Sequence, residues 1–288
     1  MKLALFGSPV AHSLSPRLHN LAAQTLGVEA FYGRVEFDKN ATADELLEKF
    51  FALKLSGANV TIPFKQHLLT RCSVLEERAK RIGALNTIVL KEGQLFGFNT
   101  DVSGFLKSIE EFGEVKKALI LGAGGTAKAV SVGLSESGVE CAVLSRSDKS
   151  SEFENLAFFV PNSNLTSLQK ANLTSDEGSK RVSNIAKTKF DFSKIELVIN
   201  TTPSGLLNAS LPFEDEVMSE IFANAKFAFD AVYGRVTPFL QTAAAKGVKS
   251  KDGLEMLLFQ AVFAFMHFCD YRFSFDEIYK AMRPAALL

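Results

Sequence analysis

The stretch "KALILGAGGTAKAVSVGLSESG", residues 117–138, constrains this chain more than any other. A short apolar run stops at Leu121, three glycines follow at 122, 124 and 125, and a helical pattern begins at once. Glycines at that junction let the backbone turn tightly and approach a ligand closely. The first free N–H groups of the helix, with its positive end, then face whatever lies over the turn. Ala127 occupies the last position of a Gly-x-Gly-x-x-Gly/Ala pattern in its proper strand–turn–helix setting. A plain tight turn would use the same glycines, but the context favours a pyrophosphate. Gly122, Ala123, Gly124, Gly125, Thr126 and Ala127 are therefore candidate dinucleotide-binding residues.

Such a turn needs a parallel sheet around it, and the rest of the chain supplies the parts. Apolar runs of strand length alternate with helical patterns, the signature of an α/β protein. "LALF" reads as a first strand. "SPRLHNLAAQTLG" reads as a helix with Ser15 as N-cap, Pro16 at its first position and Gly27 past its end. "AFYGRVEF" and "GANVTI" read as strands. Between them Thr42 and Glu45 form a capping box for "ADELLEKFFAL". Pro63 opens a helix carrying Lys65. "ALNTIVL" and "LFGFN" pair through the turn-prone "KEGQ", and a helix runs from 101 to about 112. Beyond the glycine turn, "VECAVLSR", "IELVIN" and "KFAFD" read as strands, and "TPFLQTAAAKG" as a helix capped by Thr237. Helices over 252–269 and 275–283 follow, the second with a Ser274/Glu277 capping box. Residues 148–190, rich in Ser, Asn and Lys, show no clear period.

The 288 residues are enough for about two domains. Thirty-two basic residues balance 32 acidic ones, so no long-range field draws nucleic acid or an anionic membrane. A charged ligand must be recognised locally. Three scattered cysteines fit a reducing compartment better than a disulfide framework, and neither they nor the four histidines show metal-ligand spacing. The N-terminal apolar run is short for a signal peptide. The most apolar stretch, 254–268, is broken by Glu255, Gln260 and His267, short of the ~20 residues a span needs. A cytoplasmic globular protein is expected, its core built on 26 phenylalanines without tryptophan.

In a dinucleotide fold, the strand after the glycine turn ends at the adenosine ribose. An NAD site places an acid there to bind the 2′-hydroxyl. This chain has Ser145, Arg146 and Ser147, with Lys149 close behind and Asp148 as the one dissenting charge. A guanidinium between two hydroxyls suits a 2′-phosphate, so NADP is the expected cofactor.

Two polar groups interrupt apolar surroundings. "GFNTDVSGF", residues 97–105, places Asp101 where a strand gives way to a helix. Asp101 or Thr100 is a natural N-cap there. Gln260, within "LLFQAVFAF", is costly to bury without a partner, and a backbone carbonyl or a polyhydroxylated ligand would serve. Asn59 and Asn86 are suited to turns and strand ends, and all four histidines are taken as non-catalytic.

Taken together, "FGSPVAHSLSPRLHN", "GANVTIPFK", "GALNTI", "GFNTDVSGF", "LGAGGTAKA", "NTTPSG", "DAVYGRVTP" and "DGLEMLLFQA" resemble, in order, the motifs of the shikimate dehydrogenase family. The likeness runs from the first strand to about residue 265. It departs at "DAVYGRVTP", which lacks a proline after the tyrosine and is about one residue short. The resemblance implies two domains: a substrate domain of 1–102 plus 253–288, and a Rossmann-type, doubly wound NADP domain of 103–252. It implies that Ser13 and Ser15 bind a substrate carboxylate, and that Asn59, Thr61, Asn86, Tyr233 and Gln260 contact the substrate. Lys65 and Asp101 would be the catalytic pair. Thr201, Thr202, Pro203, Ala231 and Gly253 would join the glycine turn and Ser145–Ser147 around NADP. The implied reaction is reversible NADPH-dependent reduction of 3-dehydroshikimate to shikimate, in aromatic amino-acid biosynthesis, by a monomer or homodimer.

A base for a secondary alcohol must lie within hydrogen-bond reach of its hydroxyl, and a carboxylate beside a lysine fixes that geometry. Asp101 is thus read as Lys65's partner, with the cap role able to coexist. Two alternatives stand beside this reading. One is a quinate/shikimate dehydrogenase using NAD or NADP. The other is a non-catalytic paralogue sensing a dinucleotide or a shikimate-like ligand, though it would have had no need to keep Lys65 and Asp101.

Overall fold

The structure is a computed structural model and describes residues 1–153, 156–159, 190–206 and 208–287. The chain divides into two compact units, Met1–Lys107 with Glu255–Leu288, and Ser108–Leu254. Most of the 148–190 stretch lies outside the described residues.

In the first unit β1 (Lys2–Gly7), β2 (Phe31–Glu36), β3 (Gly57–Val60), β4 (Val74–Leu75), β5 (Thr87–Lys91) and β6 (Gln94–Phe98) form one mixed sheet, ordered β2-β1-β3-β5-β6-β4. β1 pairs in parallel with β2 and β3, while β5 runs antiparallel to β3 and β6. Burial explains why β1 is apolar almost throughout. Ala4 and Phe6 pack on Leu46, Phe50 and Phe64, while Leu3 and Leu5 pack on Val89, Ala264 and Phe268. Successive side chains enter different cores, as a two-residue period requires when both faces are covered.

Around this sheet lie α1 (Ser15–Thr25), α2 (Ala43–Ala52), α3 (Glu77–Ile82), α8 (Leu254–Phe268) and α9 (Phe275–Ala286), with α4 (Thr100–Ile109) following β6. Both capping boxes form, at Thr42/Glu45 and Ser274/Glu277. Glu92 and Gly93 both take positive φ in the "KEGQ" turn, the backbone a tight hairpin needs.

Three local readings are corrected. Leu14, not Ser15, is the N-cap of α1, because the Ser13 hydroxyl accepts the Ser15 N–H and Ser15 is already helical. Neither Thr100 nor Asp101 caps α4. The helix begins at Thr100, and the Asn99 side chain accepts the Asp101 N–H, which leaves the Asp101 carboxylate free for other partners. Lys65 sits in a single 3₁₀ turn, Phe64–Gln66, and not in an α-helix.

The second unit carries β7 (Lys117–Leu121), β8 (Glu140–Leu144), β9 (Ala157–Phe159), β10 (Leu197–Asn200), β11 (Phe227–Asp230) and β12 (Lys249–Asp252). They form an all-parallel sheet ordered β12-β11-β10-β7-β8-β9, joined by α5 (Gly125–Glu136), α6 (Asp215–Phe222) and α7 (Pro238–Ala245) among the described residues. From β7 the order runs outward through β8 and β9 on one side, and from β10 through β11 and β12 on the other. This is the doubly wound arrangement. Its switch point lies between β7 and β10, where ligands of such sheets bind at the strands' carboxyl ends. Leu119, Leu121, Ala142, Val198, Ile221, Phe222 and Phe239 fill one face of this core.

Candidate active site

Gly122, directly after β7, has φ +100°, and a Cβ there would lie 2.9 Å from both the Thr201 hydroxyl and the Thr202 methyl. Only glycine fits that close approach. Thr201 follows β10 and donates its hydroxyl to the Leu121 carbonyl at 2.7 Å, tying the two switch-point strands together. Gly124 is the N-cap of α5 and brings no capping side chain. A Cβ at Gly124 or Gly125 would meet nothing within 4 Å. The start of this twelve-residue helix is thus uncrowded at both glycines, and the free N–H groups of a helix start suit an anion.

One pocket gathers Gly122, Ala123, Gly124, Ser145, Arg146, Ser147, Thr201, Thr202 and Pro203, and adds Lys149 and Phe213. Lys128 spends its charge on Glu152 at 2.5 Å, whereas Arg146 and Lys149 form no ion pair among the described residues. Arg146 and Lys149, both lining the pocket beside a glycine-lined helix start, match the charge of a phosphorylated dinucleotide. Phe213 escaped sequence reading because its loop, "SLPFED", has no period, and only the isolated aromatic among prolyl and acidic neighbours hints at a ligand wall.

Other expected site residues, Tyr233 for substrate and the rest for cofactor, lie elsewhere in this unit. Gly125, Thr126 and Ala127 form the first turn of α5, with Ala127 fully buried as a packing residue. Ala231, Tyr233 and Gly253 do not line the pocket. Gly253 is demanded by backbone: a Cβ there would come within 2.4 Å of the Ala231 carbonyl oxygen. Tyr233 is 36% exposed, and burial of part of its ring raises its phenol above the usual value. The loops after β10 and β11 are tied through Asp230. It accepts hydrogen bonds from the Asn200 amide (2.9 Å), the Val232 N–H (3.1 Å) and the Thr237 hydroxyl, while Thr237 also caps α7. Loss of water pushes the Asp230 carboxyl up to about 6, against the pull of those donors.

In the first unit, the Lys65 ammonium meets Asp101 Oδ2 at 2.6 Å, with the two side chains 21% and 14% exposed. The other carboxylate oxygen accepts from Asn86 Nδ2 at 2.9 Å. Asn86, 3% exposed, is held in turn, since its Oδ1 accepts the Thr100 N–H at 2.8 Å. Its amide also approaches Gln260 Oε1 at 3.4 Å, and Gln260 Nε2 donates to the Leu257 carbonyl at 2.8 Å. Gln260 is thus half-buried with both a backbone and a side-chain partner. Asn59 is buried within β3 and donates to the Asn86 carbonyl and the Thr87 hydroxyl at 3.1 and 3.0 Å. Thr61 follows β3, its N–H donating to the Phe6 carbonyl. Ser13 and Ser15 share a hydroxyl–hydroxyl bond at 3.2 Å, and Arg34, which sequence reading passed over, donates to the Ser13 carbonyl at 2.7 Å.

The unit therefore brings Lys65, Asp101, Asn86, Asn59 and Gln260 into one connected group, with Ser13 and Ser15 paired across the N-cap of α1. A lysine aligned by a carboxylate can exchange a proton with a hydroxyl, and amides and hydroxyls around it suit a polyhydroxylated ligand. Among the described residues no three His, Cys, Asp or Glu side chains gather for a metal, and no helix is long and apolar enough to cross a membrane.

Residues 5–88 match the family model described as the shikimate dehydrogenase substrate binding domain. The shikimate dehydrogenase (NADP(+)) of Helicobacter hepaticus is 36% identical over 273 residues, covering 94% of this chain and 92% of that protein. The namesake from Helicobacter pylori J99 is 34% identical over 97% of this chain and 96% of its own. The Thermus thermophilus shikimate 5-dehydrogenase, solved in complex with NADP(H) and shikimate, superposes with a TM-score of 0.74 at 33% identity, covering 99% of both chains. The shikimate dehydrogenase of Aquifex aeolicus gives a TM-score of 0.78 at 29% identity, covering 98% of this chain and 97% of its own.

Proposed function

The chain belongs to the shikimate dehydrogenase family, and from that premise we propose how its own residues carry the reversible reduction of 3-dehydroshikimate to shikimate with NADP as cofactor. The observation that carries the reading is the Lys65–Asp101 pair, anchored by Asn86. Bound NADPH supplies the hydride. As hydride reaches the carbonyl carbon, the Lys65 ammonium donates a proton to the developing alkoxide. In the oxidative direction Lys65 takes that proton back from the hydroxyl. Asp101 keeps the amine aimed and offers its carboxylate to a neighbouring hydroxyl.

Ser13 and Ser15 hold the substrate carboxylate, and Asn59, Thr61, Asn86, Tyr233 and Gln260 hold its hydroxyls or carboxylate. Residues 1–102 with 253–288 form the substrate domain and 103–252 the NADP domain. For the cofactor, Gly122–Ala127 take the pyrophosphate, Ser145–Ser147 with Lys149 the 2′-phosphate, and Thr201–Pro203, Ala231 and Gly253 the nicotinamide side. Three free thiols, each pushed up by burial (Cys72 to about 11, Cys141 to about 12, Cys269 to about 11), suit a reducing cytoplasm. The test is an assay of purified protein with shikimate and quinate, each with NADP and NAD. Turnover of shikimate with NADP, lost in Lys65→Ala, supports the reading. Equal use of quinate with NAD would move the chain to the broader dehydrogenase.

A further inference from the structure

Behind the Lys65–Asp101 pair a run of hydrogen bonds continues through Asn86 to Thr87 and Tyr32, two residues with no role assigned above. Asp101 Oδ1 accepts from Asn86 Nδ2 (2.9 Å), Asn86 Oδ1 accepts from the Thr87 hydroxyl (3.0 Å), and Thr87 Oγ1 accepts from Asn59 Nδ2 (3.0 Å). Asn59 Oδ1 accepts in turn from the Tyr32 hydroxyl at 2.8 Å. The Ser15 side chain is close enough to that phenol to act on it, and the Ser13 hydroxyl bonds Ser15 at 3.2 Å. The run thus links the serine turn at one end to the lysine at the other.

Tyr32 is an odd choice for its position. It is 2% exposed on β2, its ring lies flat against His19 at 4.3 Å, and Leu3, Leu5 and Phe268 share its core. Phenylalanine would fill that space without a polar atom to bury. Its backbone is also clamped, since the Asn20 side chain of α1 accepts the Tyr32 N–H at 2.8 Å and donates to its carbonyl at 2.9 Å. A hydroxyl so rigidly delivered gives the Asn59 carbonyl oxygen its partner, while the same amide's nitrogen donates to the Asn86 carbonyl and the Thr87 hydroxyl.

We propose that Tyr32 is a positioning residue whose buried hydroxyl holds the Ser13–Ser15 turn and the Asn59–Thr87–Asn86 relay in register with the Lys65–Asp101 pair. The inference rests on the proposed function of that pair. It assigns Tyr32 and Thr87 no contact with substrate, and places their effect on geometry alone.

The experiment measures kcat and KM for shikimate, and NADP affinity by direct titration, in wild type, Tyr32→Phe, Thr87→Val, Thr87→Ser, Lys65→Ala and the Tyr32→Phe/Lys65→Ala double variant. A misplacement on the order of an ångström costs up to ~10²-fold, so Tyr32→Phe and Thr87→Val are expected to lower kcat about tenfold and raise KM severalfold. NADP affinity should hold. Thr87→Ser, which keeps the hydroxyl, should recover most of the loss. In the Lys65→Ala background Tyr32→Phe should cost nothing further in kcat, because it acts through that pair. Wild-type kcat and KM in Tyr32→Phe would overturn the inference, as would a loss in Thr87→Ser equal to that in Thr87→Val, or an undiminished Tyr32→Phe effect without Lys65. If Tyr32→Phe does not fold, the two Thr87 variants decide alone. Failure of wild type to oxidise shikimate, or full kcat in Lys65→Ala, would instead overturn the function beneath it and the inference with it.

Discussion

His19 should make the first unit sensitive to acid. Its ring is 1% exposed between Tyr32, Phe265 and Phe268, and neither nitrogen has a hydrogen-bond partner among the described residues. Burial alone lowers its value from 6.5 to about 3, since nothing there stabilises an imidazolium. The folded chain therefore keeps a neutral ring at pH values where the unfolded chain binds a proton. Stability is full above pH 6.5 and falls as pH drops toward 3, because the unfolded state gains the proton first. At ~1.4 kcal/mol per unit, the 1.5 units between 6.5 and 5 remove about 2 kcal/mol, a large share of the ~5–15 kcal/mol usual for a domain. The assay is urea unfolding followed by circular dichroism, at pH 7.5 and pH 5, for wild type and His19→Phe. The phenyl ring keeps a flat partner for Tyr32 and cannot take a proton. Carboxylates elsewhere act equally in both proteins, so the difference of differences isolates His19. Wild type should lose about 2 kcal/mol more than the variant across that interval. Identical losses would refute the reasoning, and would mean that the folded ring accepts a proton as easily as the unfolded one.

Lys65→Ala should lower kcat by ~10²–10⁴, the usual worth of a general acid–base, with little change in KM, and Asp101→Asn should combine with it non-additively in steady-state kinetics. Arg146→Ala should raise the NADP dissociation constant about 10–100-fold, at ~1.4 kcal/mol per tenfold for a charge-assisted bond, while NAD binding measured the same way stays put. Gly253→Ala should cost on the order of 1–3 kcal/mol in thermal or urea unfolding, because its new methyl group would lie 2.4 Å from the Ala231 oxygen and backbone must yield.

Much of this was legible from sequence wherever local chemistry forces one residue type. The glycine turn, both capping boxes and the "KEGQ" hairpin are such places, and each forms as read. What escaped lacks a local signature. β4 is two residues long, and β12, "KSKD", is a polar edge strand whose pairing with β11 is made by backbone alone. α6 is a short amphipathic helix that begins with acids instead of a capping hydroxyl. For the helix after β6 the sequence offered Thr100 or Asp101 as the cap, and spacing could not choose between them. The choice is made 36 residues away, because Lys65 engages the carboxylate and leaves Asn99 to close the helix. The Lys65–Asp101 pairing itself came from the family resemblance, since no period in the chain relates the two.

The two units build their recognition surfaces by different physical means, and the difference has consequences for how variants should behave. In the second unit the donors are backbone N–H groups at a helix start and two cations outside any ion pair among the described residues, so little of the fold depends on them. Replacing Arg146 should lower affinity for NADP and leave packing intact. In the first unit Asn59, Asn86, Thr87 and Thr100 are all buried and bonded to one another, so the two proposed ligand contacts among them, Asn59 and Asn86, are also structural support. Removing one leaves a partner buried without its bond, at about 1–3 kcal/mol. Loss of turnover and loss of stability should therefore travel together in the first unit and separate cleanly in the second.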